Sequence, residues 1–283
     1  MPTIDEKRVY DAKEGTTRLL VACGVGTVAV SVSGDIVGEF GIDDDRPARD
    51  VAAAEGVLAV ATATDVLVGA YEATDHGPAA AVAVADGTVF AVAPDGTLAR
   101  LADVTDAAWE RLGTVTDVRA ADGRLLATAD GVVRLTDDGP EPAGLDDVRD
   151  VAGRGVPYAA TDDGLYRLAN GWERVVSGAF ETVATDATGD RVVASDGESV
   201  VTRGEPWAAT DGEESAAPTT PAPTDAATGE WTVHDEAGVV AGAVAGEQVL
   251  AVTETGTVRV SVGDGWRGRT LGVPDVVAAT VAD

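Results

Sequence analysis

The last ten residues of the chain, PDVVAATVAD (274–283), open a repeat that they do not finish. The remainder stands near the other end, in RLLVACGVGTVAVSVSGDIVGEF (18–40). Joined, the two segments match the unit written whole at 117–137, DVRAADGRLLATADGVVRLTD. A repeat divided between the two ends is what a closed ring of sheets requires, because pairing the ends locks the circle. A solenoid, whose repeats touch only their neighbours along a line, has no use for complementary ends.

The unit recurs along the chain. Its opening Asp-Val occurs at Asp50-Val51, Asp117-Val118, Asp150-Val151 and Asp275-Val276, with degenerate copies near Ala81-Val82, Thr182-Val183 and Ala243-Val244. Successive copies lie 31, 36, 33 and 32 residues apart before one long gap of 61. Within a unit the apolar residues alternate over short segments, the period of a strand rather than of a helix. Asp-Gly pairs at 86–87, 95–96, 122–123, 130–131, 163–164 and 196–197 separate the segments; such pairs suit type I′ hairpin turns, whose two central residues need positive φ. AAWERL (107–112) makes one helical turn at most. Four short strands per unit, repeated and closed end to end, predict an all-β, seven-bladed β-propeller, a form that leaves only short, protected sheet edges. Six blades is the fallback if the copies at 81 and 243 are not blades. The whole chain, 1–283, reads as one domain: 1–17 as an extension, 274–283 pairing with 18–40 to close the ring, and DGEESAAPTTPAPTDAATGE (211–230) as a flexible Pro/Thr/Ala-rich loop inserted near the sixth blade.

Trp109, Trp172, Trp207 and Trp266 fall 8 to 14 residues after a second-turn Gly, where an outer strand should start. Packing between neighbouring blades is the expected role of such large aromatic surfaces.

The chain carries 49 acidic residues against 20 basic ones, a formal charge of −29, with Lys only at 7 and 13, one Asn and one Gln. This is the composition of a protein in a salt-rich cytoplasm. Clustered carboxylates repel over a Debye length of about 8 Å at 0.15 M salt, but over only about 3 Å near 1 M. The single cysteine, Cys23, lies in an apolar stretch and excludes an intramolecular disulfide. MPTIDEKRVYDAKEG contains no apolar secretion segment, and apolar runs break far short of a membrane span. Basic residues are scattered singly, which argues against phosphate-backbone binding. A cytoplasmic location with no membrane and no nucleic-acid partner is therefore expected.

Asp50, Asp117, Asp150 and Asp275 each precede an innermost strand and are expected to ring one channel mouth, with Asp130, Asp163 and Asp196 around them on the same face. Carboxylate rings suit a divalent cation or a basic partner, though acidic turn residues on a surface this charged need neither. Catalytic signatures are weak: the histidines, His76 and His234, lie in separate blades, and no G-x-S-x-G elbow occurs.

On the repeats DVRAADGRLLATADGVVRL and DDGLYRLANGWERV, the acidic bias and the split terminal unit, the chain resembles uncharacterised β-propeller proteins of haloarchaea. It is similar in style to kelch, WD40 and BNR-type propellers without their defining motifs. The resemblance implies the fold and supplies no active-site pattern. The reading expected from sequence is a non-enzymatic scaffold that binds a protein partner, with no cofactor named. The alternative is a cation-dependent small-molecule binder or hydrolase that uses the acidic mouth.

Overall fold

A computed structural model describes residues 15–101, 108–204, 231–263 and 265–282. Seven four-stranded antiparallel sheets form a closed ring of seven blades. From blade 1 to blade 7 the innermost strands are Ala278–Ala282, Ala48–Ala54, Ala81–Ala85, Val118–Asp122, Val148–Ala152, Thr182–Thr185 and Val239–Ala245. Each touches the next around the axis, and the seventh returns to the first. Blade 1 joins the two ends: Ala278–Ala282 pairs antiparallel with Thr16–Cys23, Arg18 opposite Ala282 and Ala22 opposite Ala278. Among the described residues there is no helix, and the segment from Trp109 is a strand, Trp109–Thr114, rather than a turn of helix.

The core lies between blades. Each of the seven blade interfaces has its own apolar cluster: Leu20, Val51 and Val60 between blades 1 and 2, Leu126, Phe90 and Leu98 between 3 and 4, Tyr158, Leu165 and Val192 between 5 and 6. Alternation along the strands explains this, since both faces of a blade meet a neighbour and both must be apolar. Trp109, Trp172, Trp231 and Trp266 begin outer strands and pack at the rims of four of these clusters. Trp172 Nε1 also donates to Ala143 O of the preceding blade at 2.8 Å. In blade 6 the outer strand starts at Trp231, so the tryptophan expected there, Trp207, and the 211–230 segment lie outside the described residues.

The turns differ from expectation. Of the Asp-Gly pairs, only Asp86-Gly87 has positive φ at both residues (50° and 70°); Glu55-Gly56 does the same at 54° and 74°. Elsewhere a buried hydroxyl at the end of the second strand shapes the turn. Thr128 Oγ1 donates to Gly131 O at 2.7 Å, Thr161 Oγ1 to Gly164 O at 2.8 Å, and Ser195 Oγ to Ser199 O at 2.9 Å. At these three turns a side-chain hydroxyl bonded to nearby backbone frees the Asp from positive φ, which only Gly131 and Gly197 keep, at 114° and 84°. Cys23 occupies this position in blade 1, its Sγ 3.2 Å from Gly26 O, which explains a buried thiol at the end of a strand.

Candidate functional site

The innermost strands enclose an axial cavity of about 230 Å³. At its mouth each blade contributes one residue: Val277, Arg49, Ala80, Arg119, Arg149, Glu181 and Val240 in blades 1 to 7. Four of these strands carry a β-bulge. Ala48 pairs with Thr62 and Asp50 with Ala61, leaving Arg49 as the extra residue; the same slip leaves out Arg119, Arg149 and Val240 in blades 4, 5 and 7. A bulge frees one residue from the ladder and re-aims its side chain. Here it turns three arginines toward the mouth of a strongly acidic protein. Arg119 pairs with Asp147 at 2.6 Å, and Arg149 with Asp162 at 2.9 Å and Glu181 at 3.8 Å. Arg49 is exposed and has no ion partner among the described residues.

The expected ring of four aspartates divides into two pairs. Asp50 and Asp150 line the cavity. Asp117 and Asp275 are exposed, do not line it, and hold left-handed backbone (φ 49° and 54°) just before their strands. Asp147 is their true counterpart in blade 5, with φ 51°. The expected repeat is thus offset by three residues in blades 2 and 5: Ala48-Arg49 and Val148-Arg149, not Asp50-Val51 and Asp150-Val151, match Val118-Arg119. The second-turn aspartates bond locally. Asp130 accepts from Thr116 Oγ1 at 3.0 Å, Asp163 shares the single Thr161 Oγ1 proton with Gly164 O, both at 2.8 Å, and Asp196 accepts from Glu198 N at 2.8 Å. The bond from Thr161, helped by Tyr166 and Arg174, holds the Asp163 carboxyl below the usual range.

Asp50 and Asp150 act as staples between blades. Asp50 accepts from Val51 N at 2.8 Å and, across the interface, from Val82 N at 2.9 Å. Asp150 accepts from Val151 N, and from Thr182 Oγ1 and Val183 N of the next blade, all at 2.8 Å. Both staples run from a bulged strand to an unbulged one. At the far end Asp122 accepts from Gly153 N at 2.7 Å, where the blades approach so closely that a Cβ on Gly153 would collide with Asp122 O. Arg154 then spans the axis from blade 5 to blade 2, donating to Ala53 O at 2.6 Å, with its Nε 3.4 Å from Asp122.

Burial, reinforced by the Asp150 and Asp122 charges and opposed by the Val82 and Val51 N–H groups, pushes the Asp50 carboxyl up to about 7. Burial likewise pushes Asp150 up to about 6, against its three hydrogen bonds. Each acid binds its proton more tightly folded than unfolded, where the value is near 3.8. Each therefore lowers stability as pH rises from about 4 to its folded value, and the loss is complete above it. Both side chains line an open cavity, which discounts the loss to roughly 1–3 kcal/mol for each. Asp150→Asn removes this titration but sets an amide NH₂ against backbone donors, at a cost of about 2 kcal/mol in acid. The expected outcome is a stability deficit that is largest near pH 4, falls through pH 6 and is small by pH 8. Urea unfolding across that range measures it; a deficit independent of pH would show that Asp150 does not titrate there.

The arginines, Asp122 and Arg154 were not singled out from sequence, although the parallel DVRAADGR (117–124) and DVRDVAGR (147–154) was there to find them. The histidines stay at the periphery and apart: His76 meets Trp109 edge-on with ring centroids 4.4 Å apart, and His234 bonds Thr202 Oγ1 at 2.9 Å, with its pKa lowered by burial. Among the described residues no three His, Cys, Asp or Glu groups come together as metal ligands, and no helix is long and apolar enough to cross a membrane.

A ring of seven four-stranded blades, stapled through its innermost strands and closed by pairing of its ends, defines a β-propeller. The sequence matches the HVO_0234-like beta-propeller family over residues 3–282, and the chain belongs to that family. No curated protein matches it. Among solved structures it is similar to a functionally unknown protein from Desulfotomaculum acetoxidans (11% identity, 94% of this chain and 98% of that one, TM-score 0.60). It is similar to a periplasmic gluconolactonase of Pseudomonas aeruginosa (12%, 95% and 99%, TM-score 0.58). A third is the β-propeller domain of Cps50 (Swd1) from Myceliophteria thermophila (12%, 89% and 91%, TM-score 0.56). At such identities the likeness is one of fold, which hosts catalysts and scaffolds alike.

Proposed function

We propose that the chain is a non-enzymatic protein-interaction propeller of a salt-rich cytoplasm, and that its partner docks on the channel mouth. The observation that carries this reading is the rim itself: Arg49, Arg119 and Arg149 beside Val277, which is 49% exposed. Arginine set against exposed apolar surface is the composition of interface centres, where its fork and stem bind by both charge and contact. Asp50 and Asp150 belong to this surface as its supports, holding the strands that carry the rim. Their oxygens are taken up by main-chain donors, which favours a binding surface over a divalent-cation site.

The test is capture from the native host in molar KCl with wild-type bait and with a bait carrying Arg49→Glu and Val277→Asp. A stoichiometric partner held by the first and lost by the second, at unchanged melting temperature, is the expected outcome. Equal capture by both baits would move the contact surface elsewhere on the ring.

A further inference from the structure

We infer that the axial cavity is a receptor for a single carboxylate group, entering between Arg49 and Arg149 toward Arg154. The inference deepens the reading above by naming the group that the mouth receives.

Four of the chain's 20 basic residues, Arg49, Arg119, Arg149 and Arg154, line this one cavity. Arg154 spans its far end, so a ligand reaches the cavity from the arginine mouth. The Nε–H of Arg149 is buried without a hydrogen-bond acceptor, and that of Arg154 has no hydrogen bond and only an ion-pair contact of 3.4 Å to Asp122. Buried donors are nearly always hydrogen-bonded, so these two guanidinium donors, one near the mouth and one at the far end, leave room for an acceptor. Arg49 offers a whole guanidinium at the entrance. The cavity's own acids are largely engaged: Asp50 and Asp150 accept from the next blade, Asp122 accepts from Gly153 N and reaches Arg154 Nε only at 3.4 Å, and Glu181 stands 3.8 Å from Arg149.

Charge selects the class of ligand. Cations meet the arginines first, and a phosphate dianion would meet Asp50, Asp122, Asp150 and Glu181 in the same space. A carboxylate brings one charge and two acceptor oxygens matched to a guanidinium fork. The volume, about 230 Å³, exceeds the ~150 Å³ of a cavity that admits benzene. It takes a small organic acid or the end of a glutamate side chain. In molar salt the long-range repulsion of a −29 chain is screened to a few ångströms, so the local arginines decide.

The experiment uses the purified chain alone, so that failure to find a partner protein has no bearing on it. Ligand-observed NMR titrations in molar KCl compare butyrate, a short peptide bearing one glutamate and no other charge, and the amide counterpart of each. The expected result is saturable millimolar binding of at least one acid and of neither amide. Arg49→Gln should weaken it about tenfold, the loss of one charge-assisted contact, and Arg149→Gln similarly. Arg18→Gln, which breaks a pair with Asp43 in blade 1 away from the axis, should leave it unchanged. Tighter butyrate identifies a free organic acid as the source, and tighter peptide a side chain of the partner. Should Arg149→Gln fail to fold, Arg49→Gln decides, since no described contact depends on that side chain. No saturation by either acid, equal binding of the amides, or binding indifferent to Arg49→Gln overturns the inference.

Discussion

A chain cut after Val273 is expected to lose cooperative folding. The cut removes Ala278–Ala282, the innermost strand of blade 1, which pairs with Arg18–Ala22 and lies against the innermost strands of blades 2 and 7. It also removes Val276, 4% exposed, and the partly buried Ala279 and Val281 from the cluster between blades 7 and 1. Leu19, Leu20 and Val21, now wholly buried, would stand on an open edge inside a gap in the ring. The lost strand pairing and apolar burial amount to several kcal/mol, set against the ~5–15 kcal/mol that holds a whole domain folded. Urea unfolding should show a broad, early transition, and size exclusion should show association through the exposed edge. Adding the peptide 274–283 in trans should restore part of the midpoint. A truncated chain that unfolds sharply and close to the intact chain's urea midpoint would mean that the ring does not depend on its closure.

The second large effect is that of salt. With 49 acidic and 20 basic residues, repulsion among carboxylates opposes the compact state unless ions screen it. Moving from about 3 M to about 0.1 M KCl lengthens the Debye length roughly five-fold. The melting temperature should fall by about 10 °C or more, a few kcal/mol for a domain of this size. The ion pairs do not offset this: Arg100–Glu110 and Arg149–Asp162 are exposed on the acidic side, and such pairs contribute about 0–1 kcal/mol. A melting temperature unchanged across that range would show that the acidic surface has no part in stability.

How far each feature could be read from the chain depended on whether its cause was local. The divided repeat was legible because the 274–283 and 18–40 segments must complete one sheet, and alternation made each strand apolar enough to count blades. The anchor register was not. Asp-Val occurs twice in DVRDV (147–151), and only pairing separates the left-handed Asp147 from the bulge-flanking Asp150. The arginine rim was hidden for a related reason. A bulge is one residue gained against a partner strand, so Arg49, Arg119 and Arg149 look like ordinary strand positions until the partner is known. Arg154 reaches Ala53, 101 residues away, and no local pattern announces such a bond. The turn hydroxyls did carry a local signal, a Thr or Cys three residues before the turn glycine at Cys23, Thr128 and Thr161, which the more familiar Asp-Gly pairs overshadowed.

In blade 6, Arg203 at the end of the third strand pairs directly with Trp231 at the start of the outer one. The chain therefore leaves the sheet and returns to it at adjacent points on the rim, far from the axis and from every residue of the mouth. Whatever is spliced between those two points adds nothing to the geometry that the sheet has to satisfy. The loop-closure penalty grows only by about 0.6 kcal/mol for each doubling of length. The ring thus has a port through which a fluorescent reporter, an affinity handle or a second enzyme can be grafted internally, leaving both chain ends committed to the clasp of blade 1.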